Sequence, residues 1–143
     1  MQAAVAPLPA RSRRLDHGTL LQLQIPAPRA HLASRQAFVY LPPQYRDPAY
    51  ATTSFPVVEA FQGSPGRPSD WINGLQLDRQ LDQAIAHGWV APAIVVIPDT
   101  NGGLARSLEC TNTADGKADE TFLVQDVRAF LTATFRTAPA RWT

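Results

Sequence analysis

The pattern of apolar and polar positions along the chain predicts four strands. Gly18 to Ile25 alternates apolar and polar residues at a period of two, which is typical of a half-buried strand. Arg35 to Leu41 and Phe55 to Phe61 predict two more strands, and Ala93 to Ile97 (AIVVI) predicts a fourth. The last run is apolar at every position, as in a strand covered on both faces. We therefore expect Ala93 to Ile97 at the centre of a sheet.

Two stripes of helical spacing complete the pattern. From Leu77 to Ile85 apolar residues recur every three or four positions, and Gly88 is a suitable residue to end that helix. A second stripe runs from Phe122 to Phe135 and ends near Pro139. The resulting order of elements, β-β-β-α-β-α, predicts an α/β fold in which helices cover both faces of the sheet.

Composition narrows the class of protein without naming a function. The chain of 143 residues is long enough for one domain, and 45% apolar with 17% charged residues is typical of a globular protein. A net charge of +1 gives no reason to propose a nucleic-acid partner. Residues 1–17 predict a flexible lead-in whose basic cluster, Arg11 to Arg14, is solvated. No membrane segment is predicted, no export signal is recognisable, and localisation stays open.

The loop after the third predicted strand, FQGSPGRPSDWING from Phe61 to Gly74, raises the question of function. In open α/β sheets, ligands bind at the carboxyl ends of the strands. Glycine and proline turn the chain there and leave backbone N–H groups able to face a ligand, which is what a developing oxyanion requires. Trp71 would then line a cleft. The alternative is a tight strand-to-helix connection with Trp71 packed in the core.

From Arg35 onward the chain resembles the esterase D and mycolyltransferase branch of the α/β-hydrolase fold. The resemblance spans roughly residues 18–143 and implies that they form the N-terminal half of an esterase domain. It is carried by blocks in the same order and spacing as in that family: Val39 to Tyr45 (VYLPPQY), Gln62 to Gly74 (QGSPGRPSDWING), Ile94 to Gly103 (IVVIPDTNGG), Glu109-Cys110, and Leu123 to Arg136.

The resemblance also implies roles for the residues of the loop. Ser64, which follows Gly63, matches the residue whose backbone N–H contributes to the family's oxyanion hole. Gln62 stands where many relatives have histidine, a change that leaves the main-chain contribution intact. Gln62, Gly63, Trp71 and Asn73 are candidates for lining the pocket. Asp99, in the turn after the fourth predicted strand, is interpreted as a turn former because Asp-Thr-Asn-Gly is turn chemistry.

The sequence lacks the groups that would complete the family's reaction. It contains no Gly-x-Ser-x-Gly elbow, and His17, His31 and His87 precede the position of the family's catalytic histidine. We therefore predict no catalytic residue in this chain. No metal site, phosphate-binding loop or cofactor motif is recognisable either. The single cysteine, Cys110, is either a free thiol or a buried, inert residue, and the sequence favours neither.

The pattern predicts about four strands and two main helices, and the resemblance implies that they form a partial α/β-hydrolase sheet, truncated before the strand that carries the nucleophile elbow. Arg141 to Thr143 lies about where relatives enter the strand that carries the elbow, so Phe55 to Phe61 is expected to be an unpaired sheet edge. The resemblance implies that the chain is a fragment, itself inactive, of a serine esterase or acyltransferase working through an acyl-serine intermediate. The full-length parent would act on a small-molecule or lipid ester. The alternative is a non-catalytic binding or interaction module.

Overall fold

The computed structural model describes residues 16–103 and 110–143, and over this part of the chain it shows one mixed sheet. The strand order is β1-β2-β4-β3-β5. β1 pairs antiparallel with β2 and β2 antiparallel with β4, whereas β3 runs parallel to both β4 and β5. The strand bounds are β1, Thr19–Ala27; β2, Leu32–Leu41; β3, Phe55–Glu59; β4, Ile94–Pro98; and β5, Thr137–Trp142.

Helices cover both faces of this sheet, as the sequence predicts. On one face lie α1 (Ser69–Asn73) and α2 (Leu77–Ala86), which follow β3. On the other face a continuous helical segment comprises α3 (Asp119–Thr121), a π-helical turn (Phe122–Asp126) and α4 (Val127–Thr134). The predicted α/β fold is therefore confirmed, and α1 is an added short helix that the pattern did not predict.

The central strand β4 is buried along its whole length and separates two apolar cores. Ile94 and Val96 point into the larger core under α4, whereas Val95 and Ile97 point into the smaller core under α2. Burying an aliphatic side chain of this size contributes about 1.5–3 kcal/mol, and each of these four residues contributes in this way. The prediction that this run is a strand covered on both faces is confirmed.

A fifth strand corrects the expectation that the third strand is an unpaired edge. β5 lies parallel to β3, with Phe55 opposite Thr137 and Val57 opposite Trp142. The pairing continues one residue further, because the Thr143 N–H donates to the Val57 carbonyl at 2.9 Å. The edge of the sheet on this side is therefore β5.

The fifth strand begins earlier than the sequence suggests because the preceding helix ends earlier. α4 stops at Thr134 and Phe135 is already extended, whereas the apolar stripe had been expected to run towards Pro139. The Arg136 guanidinium anchors the turn by donating to the carbonyls of Tyr45, at 2.7 Å, and Thr53, at 3.1 Å. These contacts join residues far apart in the sequence, so no local pattern reveals them.

Two further expectations concern the ends of elements and the lead-in. Gly88, with φ of 71°, follows α2 in the left-handed conformation that glycine adopts readily, which confirms the predicted stop. The lead-in predicted over residues 1–17 lies outside the described residues except for Asp16 and His17.

In the described part of the chain, every helix is too short or too polar to traverse a lipid bilayer.

Candidate functional site

Two loops meet at the edge of the sheet where the parallel strands β3 and β4 end. The first follows β3 and contains the sequence Gln62-Gly63-Ser64-Pro65-Gly66; the second is the turn after β4 that contains Asp99 and Thr100. Because β3 and β4 are parallel neighbours, their carboxyl ends bring these loops together. The loop after β3, which the sequence predicts as the site, therefore lies beside the turn after β4, and the two form one local structure.

The first loop exposes a three-residue turn between two buried anchor positions. Gly63, Ser64 and Pro65 are exposed, whereas Gln62 and Gly66 on either side are buried. Gly66 has to be glycine, since a Cβ there would lie 2.6 Å from the Gly63 carbonyl oxygen. A Cβ at Gly63 would meet nothing within 4 Å, so this point of the turn is open to solvent.

Gln62 anchors the turn through its side chain, which is only 8% exposed. Its Nε2 donates to Asp99 Oδ1 at 3.1 Å, and its Oε1 accepts from the Thr100 N–H at 3.4 Å. The resemblance assigned importance only to the main chain at this position. The structure shows that the side chain bridges the two loops, so this glutamine has a structural role of its own.

Asp99 forms the turn after β4, in agreement with its interpretation as a turn former. Its Oδ1 accepts from the backbone N–H groups of Asn101 and Gly102, each at 3.0 Å. The same oxygen receives the Gln62 amide described above. One carboxylate oxygen therefore holds its own turn closed and binds the neighbouring loop.

A buried ion pair between Arg35 and Asp119, which the sequence does not predict, supports the turn of Asp99. Arg35 of β2 donates to the carbonyls of Asp99 and Thr100 at 3.4 and 3.3 Å. Its Nη2 lies 2.5 Å from Oδ1 of Asp119, which is fully buried, and its guanidinium lies over the Phe122 ring at 5.0 Å. The partners come from distant segments, so only the folded chain reveals this site.

The other predicted lining residues are not gathered at the turn. Trp71 is half-buried, and its Nε1 donates to the Phe61 carbonyl at 3.1 Å. The same residue lines an apolar groove of about 320 Å³ between α2 and β3. Asn73 is exposed at the end of α1, and neither Asn73 nor the Gln62-Gly63 pair lines that groove. Trp71 thus combines the two expectations, since it packs beside the core and also borders an open groove.

A partly buried carboxyl, that of Glu59, lies at the end of β3, three residues before Gln62. Burial raises the pKa of Glu59 to about 7, and its Oε1 accepts no hydrogen bond from the described residues. Burial also raises the pKa of the partly exposed Cys110 thiol, helped by the negative charges of Asp119 and Glu59. Cys110 is therefore a free but weakly ionised thiol. The signal for Glu59 is visible in the sequence as one acidic residue inside the apolar run FPVVEAF.

The histidines are exposed on the surface. His17 is 3.5 Å from Asp82, His87 contacts the Gln83 carbonyl and stacks on Trp89, and His31 is exposed between β1 and β2. Among residues 16–103 and 110–143, no cluster of three or more His, Cys, Asp or Glu side chains is placed to hold a metal ion.

Comparisons with known proteins agree with this architecture. A solved ferulic acid esterase superposes with a TM-score of 0.74 at 16% identity, over 85% of this chain and 45% of that one. A feruloyl esterase module from Clostridium thermocellum gives 0.65 at 24% identity over 95% and 44%, and an S-formylglutathione hydrolase from Agrobacterium tumefaciens gives 0.67 at 14% over 89% and 48%. At these identities the likeness shows the fold, and the chain spans about half the length of each structure.

Sequence comparison identifies the family. An uncharacterized protein of Corynebacterium glutamicum is 30% identical over 104 residues, which are 72% of this chain and 24% of that protein. Residues 32–143 match the family described as "Putative esterase", and this match includes both loops of the candidate site. The chain therefore belongs to this esterase family.

Proposed function

We propose that this chain supplies the oxyanion-hole half of a serine esterase or acyltransferase, which transfers acyl groups of a small-molecule or lipid ester through an acyl-serine intermediate. The observation that carries the proposal is the exposed Gly63–Pro65 turn at the carboxyl end of β3, anchored on both sides by buried residues. A turn held in this way presents backbone N–H groups with little reorganisation, which is the condition for stabilising a developing oxyanion. Ser64 is the proposed donor.

The nucleophile, acid and histidine of the reaction would come from residues outside this chain. The sequence contains no Gly-x-Ser-x-Gly, and the chain spans about half of the solved esterases it resembles. In α/β-hydrolases the elbow directly follows a strand that lies beside the strand of the oxyanion loop. β5 has this position next to β3. We therefore expect the coding sequence after Thr143 to encode Gly-x-Ser-x-Gly within about ten residues, followed by an acidic residue and a histidine.

Two variants at Ser64 test the oxyanion role in the protein extended by that coding sequence. Ser64→Pro removes the backbone N–H, whereas Ser64→Ala keeps it and serves as the matched control. Losing one oxyanion donor lowers kcat by about 10²–10³-fold, so Ser64→Pro should show this loss on p-nitrophenyl acetate and Ser64→Ala should not. Equal rates for the two variants would exclude Ser64 as the donor.

The 143-residue chain by itself is proposed to be inactive. It should hydrolyse p-nitrophenyl acetate no faster than buffer, since an oxyanion loop without a nucleophile leaves only weak residual catalysis. Turnover by this chain that disappears in Ser64→Ala would show a nucleophile within it and overturn this part of the proposal. A downstream sequence with no elbow in any reading frame would instead favour the non-catalytic binding module.

A further inference from the structure

We propose that Gln62 and Asp99 are positioning residues that hold the Gly63–Pro65 turn in the shape needed for its N–H groups to meet an oxyanion. This inference rests on the proposed function, because it concerns the same turn. Gln62 immediately precedes the turn and both ends of its amide bind the neighbouring loop. We call the pair Gln62 and Asp99 the clamp.

The chemistry of the clamp permits one orientation of the glutamine. The amide nitrogen faces the Asp99 carboxylate, which only accepts, and the amide oxygen faces the Thr100 N–H, which only donates. Rotating the amide by 180° would place two acceptors together and two donors together. The side chain of Gln62 is therefore fixed, and with it the backbone from which the turn begins.

The Asp99 side of the clamp is rigid without Gln62. Two backbone N–H groups from its own turn hold Oδ1 in place. From behind, Arg35 binds the carbonyls of Asp99 and Thr100 and is held in turn by the buried Asp119. A partly buried carboxylate with several charge-assisted bonds has little freedom to move, so Asp99 is the anchor of the clamp and Gln62 is the element it orients.

The far end of the turn is closed as well. Gly66 packs directly against the Gly63 carbonyl, and Asp70 Oδ2 accepts from the next N–H along the chain, that of Arg67, at 2.9 Å. The three exposed residues thus span two fixed points. Releasing Gln62 would free one of these points while leaving the sheet and the second anchor unchanged.

The test measures the order of the turn by ¹⁵N relaxation in the 143-residue chain. In Gln62→Ala, the order parameters of Gly63 and Ser64 should fall from about 0.85 to below about 0.6, the change from rigid to flexible backbone. The Thr100 amide should exchange with solvent about tenfold faster because it loses its acceptor. Gln83→Ala, which removes an exposed glutamine from α2, is the matched control and should change neither value.

Variants of the partner residue make the test independent of the space that alanine leaves at Gln62. Asp99→Asn keeps an acceptor oxygen at Oδ1 and should preserve the order of the turn, whereas Asp99→Ala should lose it. Gln62→Glu keeps the size and the acceptor for Thr100 but opposes two carboxylates, so it should also loosen the turn at neutral pH. Rescue by the conservative Asp99→Asn, with no change in β3, distinguishes positioning from general loss of stability.

The outcomes separate this inference from the proposed function. Unchanged order at Gly63 and Ser64 in Gln62→Ala and Gln62→Glu would overturn the clamp, even if Thr100 exchanged faster, because the glutamine would then serve only the turn after β4. These measurements need no nucleophile. An inactive extended protein would therefore refute the proposed function while leaving the ordering result as measured.

Discussion

Replacing Glu59 by glutamine should stabilise the protein at and above neutral pH and have little effect at or below about pH 4.5. The ordinary pKa of this carboxyl is 4.5, and burial at the end of β3 raises it to about 7 in the folded state. The folded protein therefore binds the proton more tightly than the unfolded chain. The free energy of unfolding is fully retained below about pH 4.5, falls progressively as the pH rises from 4.5 through about 7, and changes no further above that.

The magnitude follows from the separation of the two pKa values. One pKa unit corresponds to about 1.4 kcal/mol, so the change from 4.5 to about 7 is an upper limit of about 3 kcal/mol in the free energy of unfolding. Glu59→Gln removes the ionisation and preserves the shape of the side chain. At pH 8 the variant should exceed the unchanged protein by about 2–3 kcal/mol, whereas at pH 4.5 the two should agree.

Urea denaturation at several pH values measures this difference directly. Glu120→Gln is the control, because Glu120 is exposed on α3 and its replacement should not produce the same pH dependence. A second readout is the Cys110 thiol, whose pKa is raised in part by the charge of Glu59 and should be lower in Glu59→Gln. A stability gain that is the same at pH 4.5 and pH 8, or a loss at pH 8, would refute the assignment of a buried, titrating carboxyl.

Three further predictions address other parts of the site. Arg35→Met should lower the free energy of unfolding, measured by urea titration, by about 3–5 kcal/mol, because it leaves the Asp119 carboxylate buried without its cation. A loss under about 1 kcal/mol would contradict that role. Gly66→Ala should lower the melting temperature because its Cβ would clash with a carbonyl oxygen, while Gly63→Ala should leave it unchanged; equal melting temperatures would argue against the closed turn. Cys110 should react with a disulfide reagent at pH 8 more slowly in the folded protein than in urea, and equal rates would show that its pKa is not raised.

Local pattern was sufficient to predict the central parts of the fold. The short, continuous apolar run around Val95 is typical of a strand covered on both faces, and the spacing of three to four residues before Gly88 is typical of a helix with one buried face. Both predictions are confirmed. The start of β5 was not predictable, because Thr137 and Pro139 carry no strong strand signal. Their conformation is set by pairing with β3 and by the bonds of Arg136 to the loop after β2.

The candidate site likewise has a part that local sequence predicts and a part that only long-range contacts determine. The position of the turn at Ser64 follows from local glycine and proline chemistry and from the resemblance. The contacts that hold the turn do not, because Gln62 meets Asp99, and Arg35 meets Asp119, only after distant strands have assembled. A glutamine and an arginine in such positions look like ordinary surface residues in the sequence. Their significance comes from burial, which is a property of the completed fold.

The strand order has a consequence for how the chain folds during synthesis. Both partners of β3 are made after it: Val57 pairs with Ile94, and Phe55 pairs with Thr137. At roughly 5–20 residues per second, the ribosome needs roughly 4–16 s to synthesise the chain from Phe55 in β3 to Thr137 in β5. β3 has no strand partner until β4 has been made, and one of its edges stays unpaired until β5 has been made. The β1–β2 hairpin, whose strands adjoin in the sequence, is free to form early. The nascent chain therefore has a defined period in which a chaperone that binds extended apolar segments would find β3 available.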